Sequence, residues 1–597
     1  MKKVIKEKKV MIWGTMILMI LAGILLVRCF YSFSWSDESL YMAEVHRLYL
    51  GERPFVDEWH PTQFYASLLL PLYCIYVGIV GSTEGIYLWA RIFNLVLALL
   101  AAEISYLVLK KYFNLENYLA IAGGAMVILY SRANVGGISY HNFFFFCFII
   151  SVMSLYAGVS CYRTKSVWYK YVIICLISGL VGGMAIITIP TSGFSIGILY
   201  LGLGTYAIKN RLLKKYQPIW IHLGGAIATG ILYMFFVFSR IDFVELIDCI
   251  PFLFMDNQHQ QKKMLSVVNS IKGEVSYYGE YILKIIVILC IIRIFFMICH
   301  KSVKEKEMIG MYVVTVLATA LNIYQRTESH LNAYLMLVLL GFAVIVSCYK
   351  SELKNIVRSD VNLFLIIPGI AYLSSVLLAS ATIDPIYGGC VVLGLGSLNV
   401  IAWFQKKLQA KKYRIAIKFT TTGMLLLMIG VLLYTRIITV YRDAPLEMLN
   451  VEITDGPAKG LWTTKEHMEQ YNECLAVMDY INELEYQEED SLVISVIAPW
   501  MYLCTKLHNG GVSPWRIYLD DPLMAEYYQY HDIKSLKYVI VLNENIGDYI
   551  DAGAVEGTDA APNKNTCEGF LYDHLKGGLF KMIEFGCGTL YVRDDIG

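Results

Sequence analysis

SWSDESLYMAEVHRLYLGERP, residues 34–54, stands directly behind the first apolar run of the chain and sets two carboxylates, Asp37 and Glu38, about one helical turn past its end. The run itself, Trp13 to Phe33, is nearly free of charge and follows the lysine-rich start MKKVIKEKKV. Within the quoted stretch Leu40, Tyr41, Val45, Leu48 and Tyr49 recur at three-to-four spacing. The spacing predicts a short amphipathic helix on the outer membrane surface, with Ser36 or Asp37 as N-cap and Gly51 as its stop before Pro54. Asp37 therefore has two readings, a helix cap or a group whose chemistry needs a carboxylate outside the membrane.

The rest of the chain makes the membrane unavoidable. Hydrophobic residues are 57% of the sequence and charged ones only 17%, far from an ordinary soluble domain. Runs of about 20 apolar residues, enough to cross a bilayer as helices, repeat until roughly residue 438. The first run is long for a signal peptide and has no small-residue cleavage site, so it reads as an uncleaved anchor. With the basic start in the cytoplasm, the clusters at 161–170, 209–215, 300–307, 349–358 and 405–414 all fall inside if about 13 spans are drawn. An odd number of spans places the loop 34–83 and everything after residue 440 outside.

Two domains follow: an all-α polytopic unit, 1–440, with outer juxtamembrane helices, and a small extracytoplasmic α/β domain, 441–597. In the latter, Thr464 to Leu484 has helical periodicity, while Leu492 to Ile497 and Tyr538 to Leu542 read as strands. It carries neither a dinucleotide nor a phosphate-loop motif, and a structural cap over the membrane unit is its plainest role. Of the fourteen cysteines, Cys147, Cys175, Cys290 and Cys299 sit in apolar runs as small hydrophobes; Cys567 and Cys587 face outside and are candidates to bridge. No CxxC pair suggests zinc or redox work, and a net charge of +1 favours no nucleic-acid partner.

The order of elements from Asp37 onward resembles the membrane glycosyltransferases of the GT-C fold, in the branch that holds protein O-mannosyltransferases and bacterial lipid A aminoarabinose transferases. The features that carry the resemblance are the acidic pair Asp37 and Glu38, the juxtamembrane helix ending near Gly51, the stretch with Pro61, Phe64 and Tyr65, and Arg91 early in the next span. Where aminoarabinose-type relatives have Lys-Pro-Pro, this chain reads EWHPTQ, so that either His60 stands in for that cation or the task has moved elsewhere.

The resemblance implies a sugar donor linked to polyprenyl phosphate in the membrane lipid and a glycan, lipid or protein acceptor. Attack of a hydroxyl on the anomeric carbon passes through an oxocarbenium-like state. Asp37 would take the proton, and Glu38 would orient a substrate or a cation. The leaving phosphate calls for cations, for which Arg91, His60, Arg326 and His330 are candidates. Tyr65, Arg132, His141, Asp57 and Glu58 are further substrate-binding candidates. Asp57 and Glu58 could also join the acidic pair around a divalent metal, although no ligand spacing demands one. Competing classes are a transporter or flippase of lipid-linked or wall-glycan precursors, and a non-catalytic polyprenyl-lipid-binding relative.

Overall fold

The computed structural model describes residues 2–209, 217–254, 304–325, 332–347, 360–379, 386–408, 411–543 except 488, 496–497 and 516–520, and 571–594 except 572–573, 576 and 578, with single positions between 287 and 298. Arg326, His330 and Cys567 lie outside the described residues.

Among the described residues fifteen α-helices build the membrane part: α1 Lys2–Arg28, α2 Asp37–Tyr49, α3 Ala66–Val80, α4 Ile86–Lys111, α5 Asn117–Ile128, α6 Tyr140–Arg163, α7 Trp168–Thr188, α8 Thr191–Lys209, α9 Pro218–Phe238, α10 Phe243–Cys249, α11 Lys304–Gln325, α12 Asn332–Ser347, α13 Asp360–Ala379, α14 Ile386–Lys407 and α15 Lys411–Ile438. Eight stretches among the described residues are long and apolar enough to cross a membrane by length and composition. The protein is a multi-pass membrane protein. Helix α6 is its centre: Phe143 to Phe146 are all buried, and its first turn is capped by Ser139, whose hydroxyl accepts the amide of Asn142 at 3.0 Å.

Helices α1 and α15 run in the same direction, because the Arg28 guanidinium at the end of α1 donates to the carbonyls of Ile437 and Thr439 at the end of α15, at 3.0 and 3.1 Å. If both cross the bilayer, the total number of crossings is odd.

Helix α3 is apolar enough to be taken for a span, yet both of its flanks bond to the C-terminal tail. The Trp59 amide donates to Val512 O at 2.8 Å, and the Thr83 hydroxyl to Leu503 O at 2.7 Å. With the turn Gln63–Tyr65 before it the helical stretch is 18 residues, so length alone does not exclude a crossing, but these contacts hold both of its flanks against the tail. The helix therefore lies alongside the tail.

The tail is an α/β unit. Helix α16, Lys465–Glu483, begins at Thr464, whose side chain accepts from the His467 amide. It packs by a five-stranded sheet of order β4-β3-β5-β7-β6, with β3 Ser491–Ser495, β4 His508–Asn509, β5 Leu536–Leu542, β6 Phe580–Phe585 and β7 Gly588–Arg593. Strand β3 is parallel to β4 and β5, and the β5-β7-β6 side is antiparallel. A small hairpin, β1 Val451–Glu452 with β2 Trp462–Thr463, joins it to the membrane part. Cys587 is a buried free thiol.

One expectation needs correcting. Helix α2 is not a surface helix, since every residue from Glu38 to Leu48 is buried, including Glu44, His46 and Arg47. The tail covers the face that the sequence pattern leaves to water. His46 is held between the Tyr73 hydroxyl at 2.6 Å and Thr505 O at 2.9 Å, and Trp35, just before the helix, stacks edge-on against Trp500 of the tail at 5.4 Å.

Candidate functional site

The helix-cap reading of Asp37 does not hold in the structure. Ser36 occupies the N-cap without a side-chain bond, and Asp37 is the first helical residue. An anion there is favoured by the exposed amides and the helix dipole, but its carboxylate points elsewhere. It accepts the Tyr441 hydroxyl and pairs with Arg442 at 3.2 Å. Arg442 also donates to the Ser36 hydroxyl and adopts a left-handed φ of 49°, an unusual conformation for a long side chain. Burial and the Asp37 carboxylate push the Tyr441 phenol well above its ordinary pKa, so it stays a hydrogen-bond donor. The Asp37 side chain keeps 21% of its surface exposed, whereas Glu38 keeps 4%.

Glu38 belongs to Arg91. The guanidinium grips both carboxylate oxygens, Nε to Oε1 at 2.6 Å and Nη2 to Oε2 at 2.5 Å, and sends Nη1 to the carbonyls of Cys29 and Tyr31 at 2.8 and 3.0 Å. Arg91, expected as a phosphate ligand, thus uses these donors to fix Glu38 and the end of α1. Two glycines make room for the pair: a Cβ on Gly137 would come 2.7 Å from Glu38 Oε1, and one on Gly136 3.0 Å from Arg91 Nε.

Around Asp37, the loop before α6 brings in Arg132, which lies in the field of Tyr140, Tyr41, Asp37 and Tyr441 and is bonded to the Tyr140 hydroxyl. Tyr41, Tyr65 and Tyr140 surround one another with ring centroids 5.9 to 6.2 Å apart. The Tyr65 hydroxyl donates to Tyr41 O at 3.1 Å. His141, against the Tyr140 ring at 4.0 Å, is 2% exposed, and neither ring nitrogen has a hydrogen-bond partner among the described residues. A buried imidazole left that way is costly.

The remaining candidates sit one layer away. His60 lies 2.5 Å from the Thr62 hydroxyl and 3.5 Å from the Glu44 carboxylate. Asp57 closes a turn onto the Arg53 amide at 2.6 Å. Glu58 pairs with Arg47 at 2.6 Å; burial nonetheless raises its pKa to about 7, against the pull of Arg47. Asp57 and Glu58 therefore do not join Asp37 and Glu38 around a metal. Among the described residues no group of three His, Cys, Asp or Glu side chains could hold a metal ion, and Asp37 has arginine and tyrosine for neighbours.

The sequence reading missed Tyr441, Arg442, Tyr140 and Glu44. The first two belong with Asp443 to the triplet Tyr-Arg-Asp just after the last span, a polar cluster whose position relative to loop 34–83 becomes visible only once α1 and α15 lie side by side.

Solved structures similar to this chain include the oligosaccharyltransferase of Archaeoglobus fulgidus in complex with Zn and sulfate, with a TM-score of 0.50 and 12% identity over 88% of this chain and 67% of that one. The fold is GT-C. The apo structure of ArnT from Cupriavidus metallidurans is similar too, with a TM-score of 0.48 and 10% identity over 96% of this chain and 97% of that one. No family profile and no curated protein matches the sequence. At this identity the likeness establishes the fold and leaves the chemistry to the site.

Proposed function

We propose that the chain is an integral membrane glycosyltransferase of the branch with O-mannosyl- and aminoarabinose transferases. It moves a sugar from a polyprenyl-phosphate donor to an acceptor hydroxyl at the outer face of the membrane. The observation that carries this reading is the setting of Asp37, a partly exposed carboxylate at a helix start, flanked by Arg442 and Arg132 and roofed by Tyr441.

The acceptor hydroxyl displaces the Tyr441 hydroxyl and gives its proton to Asp37 as its oxygen bonds to the anomeric carbon. The bond from that carbon to the phosphate oxygen breaks, and its electron pair leaves on the phosphate. Arg132 and Arg442 stabilise the charge that develops there, with Arg326 and His330 as further candidates. A single displacement of this kind inverts the anomeric centre. His141, buried beside Arg132 with both nitrogens unpartnered, suits a hydroxyl of the bound sugar.

The test needs no knowledge of the sugar. Purified protein is mixed with the lipid-linked sugar pool of its source membranes, and release of polyprenyl phosphate is followed. Asp37→Asn should cut release about a hundred-fold or more with thermal stability little changed. Near wild-type release by that variant would remove Asp37 as the base.

A further inference from the structure

Cys474, near the middle of α16, and Cys587, in the turn between β6 and β7, are both fully buried. Their thiols are hydrogen-bonded to each other. The sequence offers Cys567 as a partner for Cys587; the fold sets Cys474 beside it.

The backbone fixes that meeting from both sides. The end of β5 holds the turn, where the Asn543 amide donates to Cys587 O at 2.8 Å and the Asn543 side chain donates to Gly586 O at 2.9 Å. Gly586 lets the turn close onto the helix, because a Cβ there would come 2.7 Å from Cδ of Glu473, the neighbour of Cys474. Phe585 then packs on Tyr480 of the same helix, with ring centroids 5.6 Å apart.

As thiols the pair does little. A sulfhydryl is a weak donor and a weak acceptor. The hydrogen bond with Cys587 and burial push the Cys474 thiol well above its ordinary pKa, and a thiol kept protonated is a poor nucleophile and a poor metal ligand. A covalent bond suits the contact better, since the sulfurs have only to close to about 2.0 Å.

We propose that Cys474 and Cys587 are joined as a disulfide on the outer side of the membrane, a modification that staples the last hairpin of the sheet to α16. The inference takes from the transferase reading only the outer placement of the tail, where thiols meet oxidants. The oxidant is the disulfide of a thiol oxidoreductase or a small disulfide such as cystine. One thiolate attacks it and releases the first thiol, and the other thiolate then displaces the second. Two S–H bonds break, one S–S bond forms, and the donor disulfide takes up two electrons and two protons. Because both sulfurs are sealed in the finished fold, the exchange takes place before the hairpin docks. The staple secures the support of the acidic pair. Tyr471, one turn before Cys474, stacks on Trp500 at 4.4 Å and meets Phe33 and Trp35 edge-on at 5.3 and 6.4 Å, the aromatic residues that lead into Asp37.

Full-length wild-type protein from its own membranes is denatured in N-ethylmaleimide, digested without reductant and mapped by mass spectrometry. A peptide pair linking Cys474 to Cys587 is expected. N-ethylmaleimide on both cysteines overturns the proposal. So does Cys587 joined to Cys567, or Cys474 joined to Cys504, the thiol whose field also reaches it.

Thermal unfolding in detergent gives a second reading. Cys474→Ala, Cys587→Ala and the double variant each lose the same bond, so each should lower Tm by the same amount, on the order of 10 °C. A double variant that loses as much as the two single variants together has two separate contributions, and that result overturns the bond. Asp37→Asn should still yield the linked peptide, so a failed disulfide and a failed catalytic base give different results.

Discussion

At the scale of single residues, Asp37 and Glu38 are neighbours with opposite fates. Asp37 meets a salt bridge that is partly wet, and Glu38 is locked in a dry, two-pronged pair with Arg91. Removing one partner of such a pair strands the other's charge and costs about 3–5 kcal/mol, whereas replacing both by apolar groups can be nearly neutral. Arg91→Met should therefore lower the unfolding temperature sharply in detergent, and adding Glu38→Leu should restore most of the loss. If the double variant is as unstable as the single, the pair is not what holds this point of the fold. Gly137 offers a finer probe. A methyl group there would press on Glu38 Oε1, so Gly137→Ala should shift the start of α2 and reduce polyprenyl phosphate release. Full release by a folded Gly137→Ala protein would show that the position of Glu38 does not matter.

At the scale of elements, the loop between α1 and α4 is folded around Arg47. Its guanidinium bonds to Glu52, to Glu58 and to the Asp57 carbonyl, drawing the chain back along α2. Glu52 then reaches the tail, accepting the Asn509 amide at 2.9 Å with His508 at 3.5 Å. The bond to Glu52 raises the His508 pKa above its ordinary 6.5. A raised folded-state pKa means that the contact contributes fully below pH 6.5 and is lost as pH rises through the folded value. Unfolding temperature should thus fall as pH moves upward from 6.5. In His508→Gln that slope should flatten; an unchanged slope would place the dependence on another group. The effect is modest, because the imidazole is partly exposed.

At the scale of the whole molecule, Asp37 and the tail share one side of the membrane whichever way the chain is inserted. Gly85, at the start of α4, donates its amide to Gly456 O of the tail at 3.0 Å, and Lys406 meets Asn114 O beyond the far end of that helix. Helix α4 has 26 residues, about 39 Å, so Lys406 and its neighbour Lys407 stand at the opposite end of that helix from the site. On the proposed outer-face reading, Ser82→Cys and Glu489→Cys should react together with an impermeant thiol reagent in intact cells, and Lys407→Cys should not. Labelling of Lys407→Cys with protection of the other two would move the site to the cytoplasm and end the outer-face reading.

The sequence by itself determined the membrane class, the α/β character of the tail and the helix behind the acidic pair, because hydrophobic run length, period and turn residues are local signals. Helix α16 is capped by Thr464 and β5 covers Tyr538 to Leu542 as periodicity requires. Tertiary structure alone decided what faces what. Whether α2 lies against water or beneath the tail depends on Trp500 and Thr505, more than 450 positions away. That Tyr441 and Arg442 meet Asp37, while Arg91 is held by Glu38, depends on α1 and α15 running side by side. A charge read along the chain has a sign but no partner, and pairing across hundreds of residues is what separates a wet carboxylate from a buried one.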